Sequence, residues 1–178
     1  QDKIEIVVGD GGSTDGTQDI AKKFKATVLP NPLKTGEAGK AVGLQAANND
    51  LIVLLDSDNI LIDRSWLRKM VAPFAYQAIV GSEPLYYQYR PTDGYLTRYT
   101  AMLGMGDPLV LFLGNYDRYS LVTNTWTGLD LPVRDKGGYL DLTLQPPLIP
   151  TIGANGTVFR RSFLQSALMN TKNSDYLF

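Results

Sequence analysis

Two carboxylates one residue apart, Asp56 and Asp58, follow directly on Leu51–Leu55, an unbroken run of five apolar residues. Alternate side chains of an extended backbone point to the same side, so this spacing presents hard anionic oxygens together and suits a divalent cation such as Mg²⁺ or Mn²⁺. The competing interpretation is a strand end closed by turn-forming aspartates. Asp10 stands in a similar place, after the apolar-rich Ile4–Val8 and at the head of a loop, Gly9 to Thr17, dense in Gly, Asp, Ser and Thr. It is a single acceptor that would serve a ligand or an Asx turn equally well. Lys40, within Gly39-Lys40-Ala41, is a cation on a flexible stem at a glycine-rich helix start. It suits phosphate oxygens, or solvent alone. The stretch is not a P-loop, which needs a Gly five residues before its Gly-Lys pair and Ser or Thr after it; Lys34 and Ala41 hold those positions.

Composition narrows the chemistry. The chain has 178 residues, 44% hydrophobic and 20% charged, enough to bury a core in one domain. It contains no Cys and no His, which removes disulfides, thiol catalysis, imidazole or thiolate metal sites and histidine bases. Carboxylates are the bases that remain. With 17 basic and 18 acidic residues the formal net charge is -1, so bulk electrostatics do not favour a nucleic-acid partner. No apolar run reaches the ~20 residues needed to span a bilayer, and no signal peptide opens the chain. The segment reads as soluble.

These residues need strands and helices to place them. Leu51–Leu55 reads as a strand buried on both faces, and hence as part of a largely parallel sheet covered by helices. Ligands of such open α/β sheets bind at the carboxyl ends of the strands, where Asp10 and Asp56 fall. Ile4–Val8 predicts the first strand. Ser13 or Thr14 is expected to cap a following helix with Ile20, Ala21 and Phe24 on one face, and Asp15 with Gln18 has capping-box spacing. Ala26–Leu29 predicts a second strand, and a short helix follows the Pro30-Asn31-Pro32 break to about Asn48. Ser65–Phe74 predicts a helix and Ala78–Ser82 a strand. The tyrosines at 86, 87, 89, 95 and 99 would line half-buried faces of regular structure in preference to stacking on a sugar. Residues 105–128 read as an insertion forming acceptor surface, whose apolar Pro108–Leu113 could pack against a membrane. Lys136-Gly137-Gly138 is a turn, and Gln145–Pro150 a rigid extended segment. It leads into Gly153-Ala154-Asn155-Gly156, where glycine permits close approach of a ligand.

Val7 to Thr17, then Gly39-Lys40-Ala41, then Leu54-Leu55-Asp56-Ser57-Asp58 resemble the family 2 glycosyltransferases over roughly the first third of the chain. A weaker echo lies at Gly153 to Arg161. The resemblance implies the GT-A fold, a Rossmann-like mixed and mostly parallel sheet flanked by helices, and inverting transfer from a nucleotide-diphosphate sugar. It implies that Asp10 accepts a hydrogen bond from the nucleotide base and that Lys40 lies near the nucleotide. Asp56 and Asp58 would hold ribose and the metal, Mg²⁺ or Mn²⁺, that bridges the diphosphate. Gly153, Ala154, Asn155 and Gly156 would border the cleft for the acceptor, a saccharide or lipid-linked molecule. The chain is expected to be one catalytic domain over 1–178, with a nucleotide-binding part over about 1–82 and an acceptor-side part over about 83–178. A cytoplasmic location is implied, with any membrane association made through parts outside this segment.

Some features depart from the family pattern. The family's first strand is missing and its Asp-Asp pair is here Gly9-Asp10, so the chain reads as truncated at both ends and inactive alone. The family's base usually lies in a Glu-Asp pair beyond the Arg-Arg segment; here only Asp175 offers itself, and a base past Phe178 is the better expectation. Other functions fit less well. A haloacid dehalogenase phosphatase carries its Asp-x-Asp near the chain start, and a calcium site would need EF-hand spacing. A sugar-nucleotide pyrophosphorylase needs an N-terminal basic glycine-rich loop. A degenerate transferase domain that binds nucleotide without turnover stays open as an alternative.

Overall fold

The structure, a computed structural model, describes residues 4–153 and 155–169. In chain order these form β1 (Val7–Asp10), α1 (Thr17–Lys23), β2 (Thr27–Pro30), α2 (Gly36–Ala46), β3 (Leu51–Leu54) and α3 (Trp66–Val71), which continues into a 3-10 turn over Ala72–Ala75. Then follow β4 (Gly81–Ser82), α4 (Tyr95–Leu103), α5 (Pro108–Phe112), β5 (Val133–Asp135), β6 (Leu140–Leu142), β7 (Thr157–Arg160) and α6 (Arg161–Met169). The elements divide into two compact units. The first holds the described residues up to Asn59, Gln77–Gly81 and those from Asn155 on; the second holds Ile60–Tyr76 and those from Ser82 to Gly153.

In the first unit β1 and β2 pair in parallel, Val7 opposite Thr27 and Asp10 opposite Pro30. β3 pairs antiparallel with β7, Leu51 opposite Arg160 and Leu54 opposite Thr157, in a sheet of order β3-β7-β4. The expectation of a mostly parallel sheet is therefore corrected: the described residues are mixed α/β with small sheets, β1–β2 being parallel while β3–β7 and β5–β6 are antiparallel. β3 is also not buried evenly on both faces. Ile52 and Leu54 are buried while Leu51 and Val53 are half-exposed, which is the alternation of an antiparallel strand concealed by an all-apolar sequence. Between β1 and α2 the backbones touch. A Cβ on Gly9 would lie 2.6 Å from the Gly39 carbonyl oxygen and 2.8 Å from its Cα. Gly9→Ala must push β1 and α2 apart, so it should cost about 1–3 kcal/mol. Chemical denaturation of the two proteins checks this; an unchanged midpoint would mean that the contact is not tight.

Local signals explain the helix that carries Lys40. Thr35 caps α2, its side chain accepting from the Ala38 N–H at 3.2 Å. Buried Asn31 braces the entry by donating from Nδ2 to the Thr35 carbonyl at 2.9 Å and accepting from the Lys34 N–H at 3.2 Å. The expected cap of α1 is not formed. Its N-cap is Gly16, with no side-chain bond, and Asp15 instead accepts from the Thr17 N–H and hydroxyl. Ile20 and Phe24, which share one face in the sequence pattern, are exposed.

The second unit is organised around Leu103, Met105 and Tyr116, with Val110 and Leu111 against them. The Tyr116 hydroxyl bonds those of Thr123 and Thr125 at 2.7 and 2.6 Å, which satisfies the polar end of a buried ring. Asp107 caps α5 by accepting from the Leu109 N–H at 2.9 Å, and Pro108 suits the first turn, so part of the apolar run is helical. The Lys136-Gly137-Gly138 turn joins the antiparallel β5 and β6. Gln145–Pro150 is not extended throughout: Leu148 N–H donates to the Gln145 carbonyl at 3.0 Å across a tight turn. Tyr86, Tyr87 and Tyr89 lie outside helices and strands and are well exposed, unlike the half-buried regular faces expected of them.

A buried ionic cluster, invisible to local pattern, also lies in this unit. Arg118 is fully buried, with Nη1 2.8 Å from Glu83 Oε2 and 2.8 Å from Asp117 Oδ2. Its guanidinium carbon lies 5.4 Å from the Tyr87 ring centre. Asp117 Oδ2 also accepts from the Gly153 N–H at 3.1 Å. Burial outweighs the attraction of Arg118 and pushes the Glu83 carboxyl up to about 7.

Candidate functional site

Asp10 ends β1 and is buried, and the loop after it closes onto its carboxylate. Gly12 takes a φ of +93°, which glycine adopts without strain, and its N–H reaches Asp10 Oδ2 at 3.0 Å. The Ser13 N–H reaches both carboxylate oxygens, at 3.2 and 3.1 Å, and Gln18 Nε2 donates to Oδ2 at 2.7 Å. Hydrogen bonds from the Ser13 and Gln18 side chains, with those from the backbone, hold the acid below the usual carboxylate range. Asp10 is thus a fixed anion on one wall of a cleft of about 380 Å³, which Val28–Pro32, Lys34 and Gln18 also line. This is more than an Asx turn requires, because a side chain eight residues on is recruited as well.

Lys40 and Asp56 meet. Lys40 Nζ lies 2.7 Å from Asp56 Oδ1, in a pair whose side chains are 15% and 38% exposed, so the lysine is neither solvated nor free. Lys40 is the fifth residue of α2, which makes the glycine-rich segment part of the helix. The Asp56 N–H is shared between Asn59 Oδ1 and Asn155 Oδ1, each at 3.3 Å. The Gly156 N–H donates to the Leu54 carbonyl at 2.8 Å, so Asn155 and Gly156 brace the end of β3. Asp58 is exposed and makes no ion pair among the described residues. Gly153 falls in the second unit, against Asp117, while Ala154 and Asp175 lie outside the described residues.

Metal binding can be judged from these donors. No group of three or more acidic side chains gathers among the described residues, so an all-protein cage is not built here. Asp56 keeps Oδ2 beside its bond to Lys40, and Asp58 keeps both oxygens. Two carboxylates with open positions fit an octahedral cation that completes its shell with water and substrate phosphates.

Gln18 and Asn31 were not legible as site residues, and for Asn155, expected on the acceptor side, the bond to Asp56 was not. Gln18 was hidden by its capping-box spacing to Asp15, and Asn31 by the two prolines around it. Asn155 reaches Asp56 from 99 positions away, a distance no local pattern reports.

No helix among the described residues is long and apolar enough to cross a membrane. Among curated proteins and solved structures none matches the chain significantly. The family model described as glycosyl transferase family 2 does match, over residues 1–166, and so takes in the Asp10 loop, Lys40, the Asp-Ser-Asp turn and the Asn155-Gly156 brace. With most of its length covered by that match, the chain belongs to glycosyl transferase family 2, and its chemistry is glycosyl transfer.

Proposed function

We propose that the protein uses a nucleotide-diphosphate sugar as donor, bound in the first unit with the base beside Asp10 and the diphosphate beside Asp56 and Asp58. The observation that supports this most is the state of Asp10. It is a buried, ionised carboxylate held by directed donors on the wall of an open cleft, and such preorganisation suits an acceptor for a ligand N–H. Asp56 and Asp58 would hold Mg²⁺ or Mn²⁺, which when bound offsets charge on the departing diphosphate. Lys40 fixes Asp56 and adds positive charge where the phosphates gather.

Transfer is a single displacement at the anomeric carbon. The acceptor oxygen forms its bond to that carbon while the carbon–oxygen bond to the diphosphate breaks, and the diphosphate leaves with the electron pair. The acceptor proton passes to a carboxylate, the kind of general base these residues offer in the absence of His and Cys among them. Asp175 is a candidate for this role, and inversion at the anomeric carbon is the stereochemical result. The acceptor is a saccharide or lipid-linked hydroxyl, with Asn155 and Gly156, which brace the end of β3, as candidate contacts.

Asp10→Ala should weaken binding of a nucleotide diphosphate about ten- to a hundredfold, because it removes a charge-assisted acceptor. Calorimetry of the two proteins with UDP and GDP measures this. Equal affinities would reduce Asp10 to a loop-forming residue and leave the base site without its main support.

A further inference from the structure

Asp10 and Gln18 together offer more than one acceptor. Asp10 Oδ2 receives the Gly12 and Ser13 N–H groups and Gln18 Nε2, whereas Oδ1 receives the longer 3.2 Å bond from Ser13 N–H, with the Ser13 hydroxyl also donating to the carboxylate. The carboxylate therefore keeps accepting capacity at Oδ1. A glutamine amide has two N–H donors and a carbonyl, and the bond to Asp10 uses one donor. Gln18 is half-buried in the same cleft wall, so its remaining polar capacity stands beside the open side of Asp10. An acceptor and a donor presented side by side form a reading head for an N–H next to a C=O.

We propose that Gln18 is a specificity-determining residue, which with Asp10 selects nucleobases carrying an imide edge, an N–H flanked by a carbonyl, as in uracil and guanine. Asp10 Oδ1 accepts from the ring N–H and Gln18 Nε2 donates to the adjacent carbonyl. Adenine and cytosine place a ring nitrogen lone pair and an amino group at the matching positions, so acceptor would face carboxylate and donor would face donor. Sites built on such pairs discriminate mainly through groups left unpaired in the wrong complex. The inference rests on the nucleotide site proposed above and adds to it the residue that chooses the base.

The test is calorimetric titration of UDP, GDP, CDP and ADP, with Mn²⁺ present, into the protein and into Gln18→Leu. UDP or GDP should bind at least about tenfold more tightly than CDP and ADP, and whichever of the two is tighter names the base. Gln18→Leu should bring that nucleotide to within about twofold of CDP. Equal binding of all four nucleotides to the unaltered protein would overturn the inference whether or not the variant folds. A preference over CDP and ADP that survives unchanged in Gln18→Leu would also overturn it, reducing Gln18 to a support for Asp10 while the nucleotide site stands. No binding of any diphosphate would sink the nucleotide site itself.

Discussion

Asp58→Ala should slow sugar transfer by about a hundredfold or more while leaving the thermal unfolding midpoint unchanged. The size follows from what the residue would do: a metal carboxylate at a departing diphosphate acts on charge that develops in the transition state, and single groups of that kind typically carry two to three decades of rate. The unchanged midpoint follows from the fold, because Asp58 is exposed and makes no ion pair among the described residues. Asp56→Ala should behave differently. It too should slow transfer, but it strands Lys40, which is 15% exposed and has lost its partner, so some stability goes with it. Transfer assays with Mn²⁺ and thermal melts on both variants separate the two effects. If Asp58→Ala keeps more than a tenth of the rate, the pair is a strand-end turn and the metal belongs elsewhere.

Arg118→Ala should be the most destabilising of these substitutions, by about 3–5 kcal/mol, because it leaves half-buried Glu83 and buried Asp117 without their common counter-ion. The cluster also has a pH signature. Glu83 is pushed up to about 7 by burial, from 4.5, so the folded protein holds a proton that the unfolded chain has released over that interval. The folded state thus binds more protons than the unfolded one between pH 4.5 and about 7. Stability from this group must then fall as pH rises through the window and level off above it, by at most about 3 kcal/mol. Glu83→Gln should flatten that slope. Urea denaturation at pH 5 and pH 8 reads both effects; parallel profiles for the native protein and Glu83→Gln would show that Glu83 ionises as an ordinary surface acid.

The parts of the molecule that the sequence disclosed were those written in adjacent residues. The Gly9 to Thr17 loop announced itself through glycines and small polar side chains, and it does wrap a carboxylate. β3 was plain from its unbroken apolar residues. Its neighbours were not, since β7 lies about a hundred positions away and an all-apolar strand conceals which residues alternate inward. A similar separation hid the Asn155 bond to Asp56, and a shorter one, still beyond any local pattern, the pairing of Glu83 with Arg118. Gln18 was misread for another reason. A glutamine three residues after an aspartate fits a helix cap, and only its 2.7 Å bond to Asp10 shows that it turns toward the cleft.

The donor site is tested most directly by the effect of Mn²⁺ on nucleotide diphosphate binding. In paired calorimetric titrations of UDP and of GDP, with Mn²⁺ and with chelator, at least one nucleotide should bind about tenfold or more tightly with the metal, and Asp58→Ala should lose that gain. Equal affinity with and without Mn²⁺, or a gain that survives in Asp58→Ala, would contradict a metal-bridged diphosphate at the end of β3.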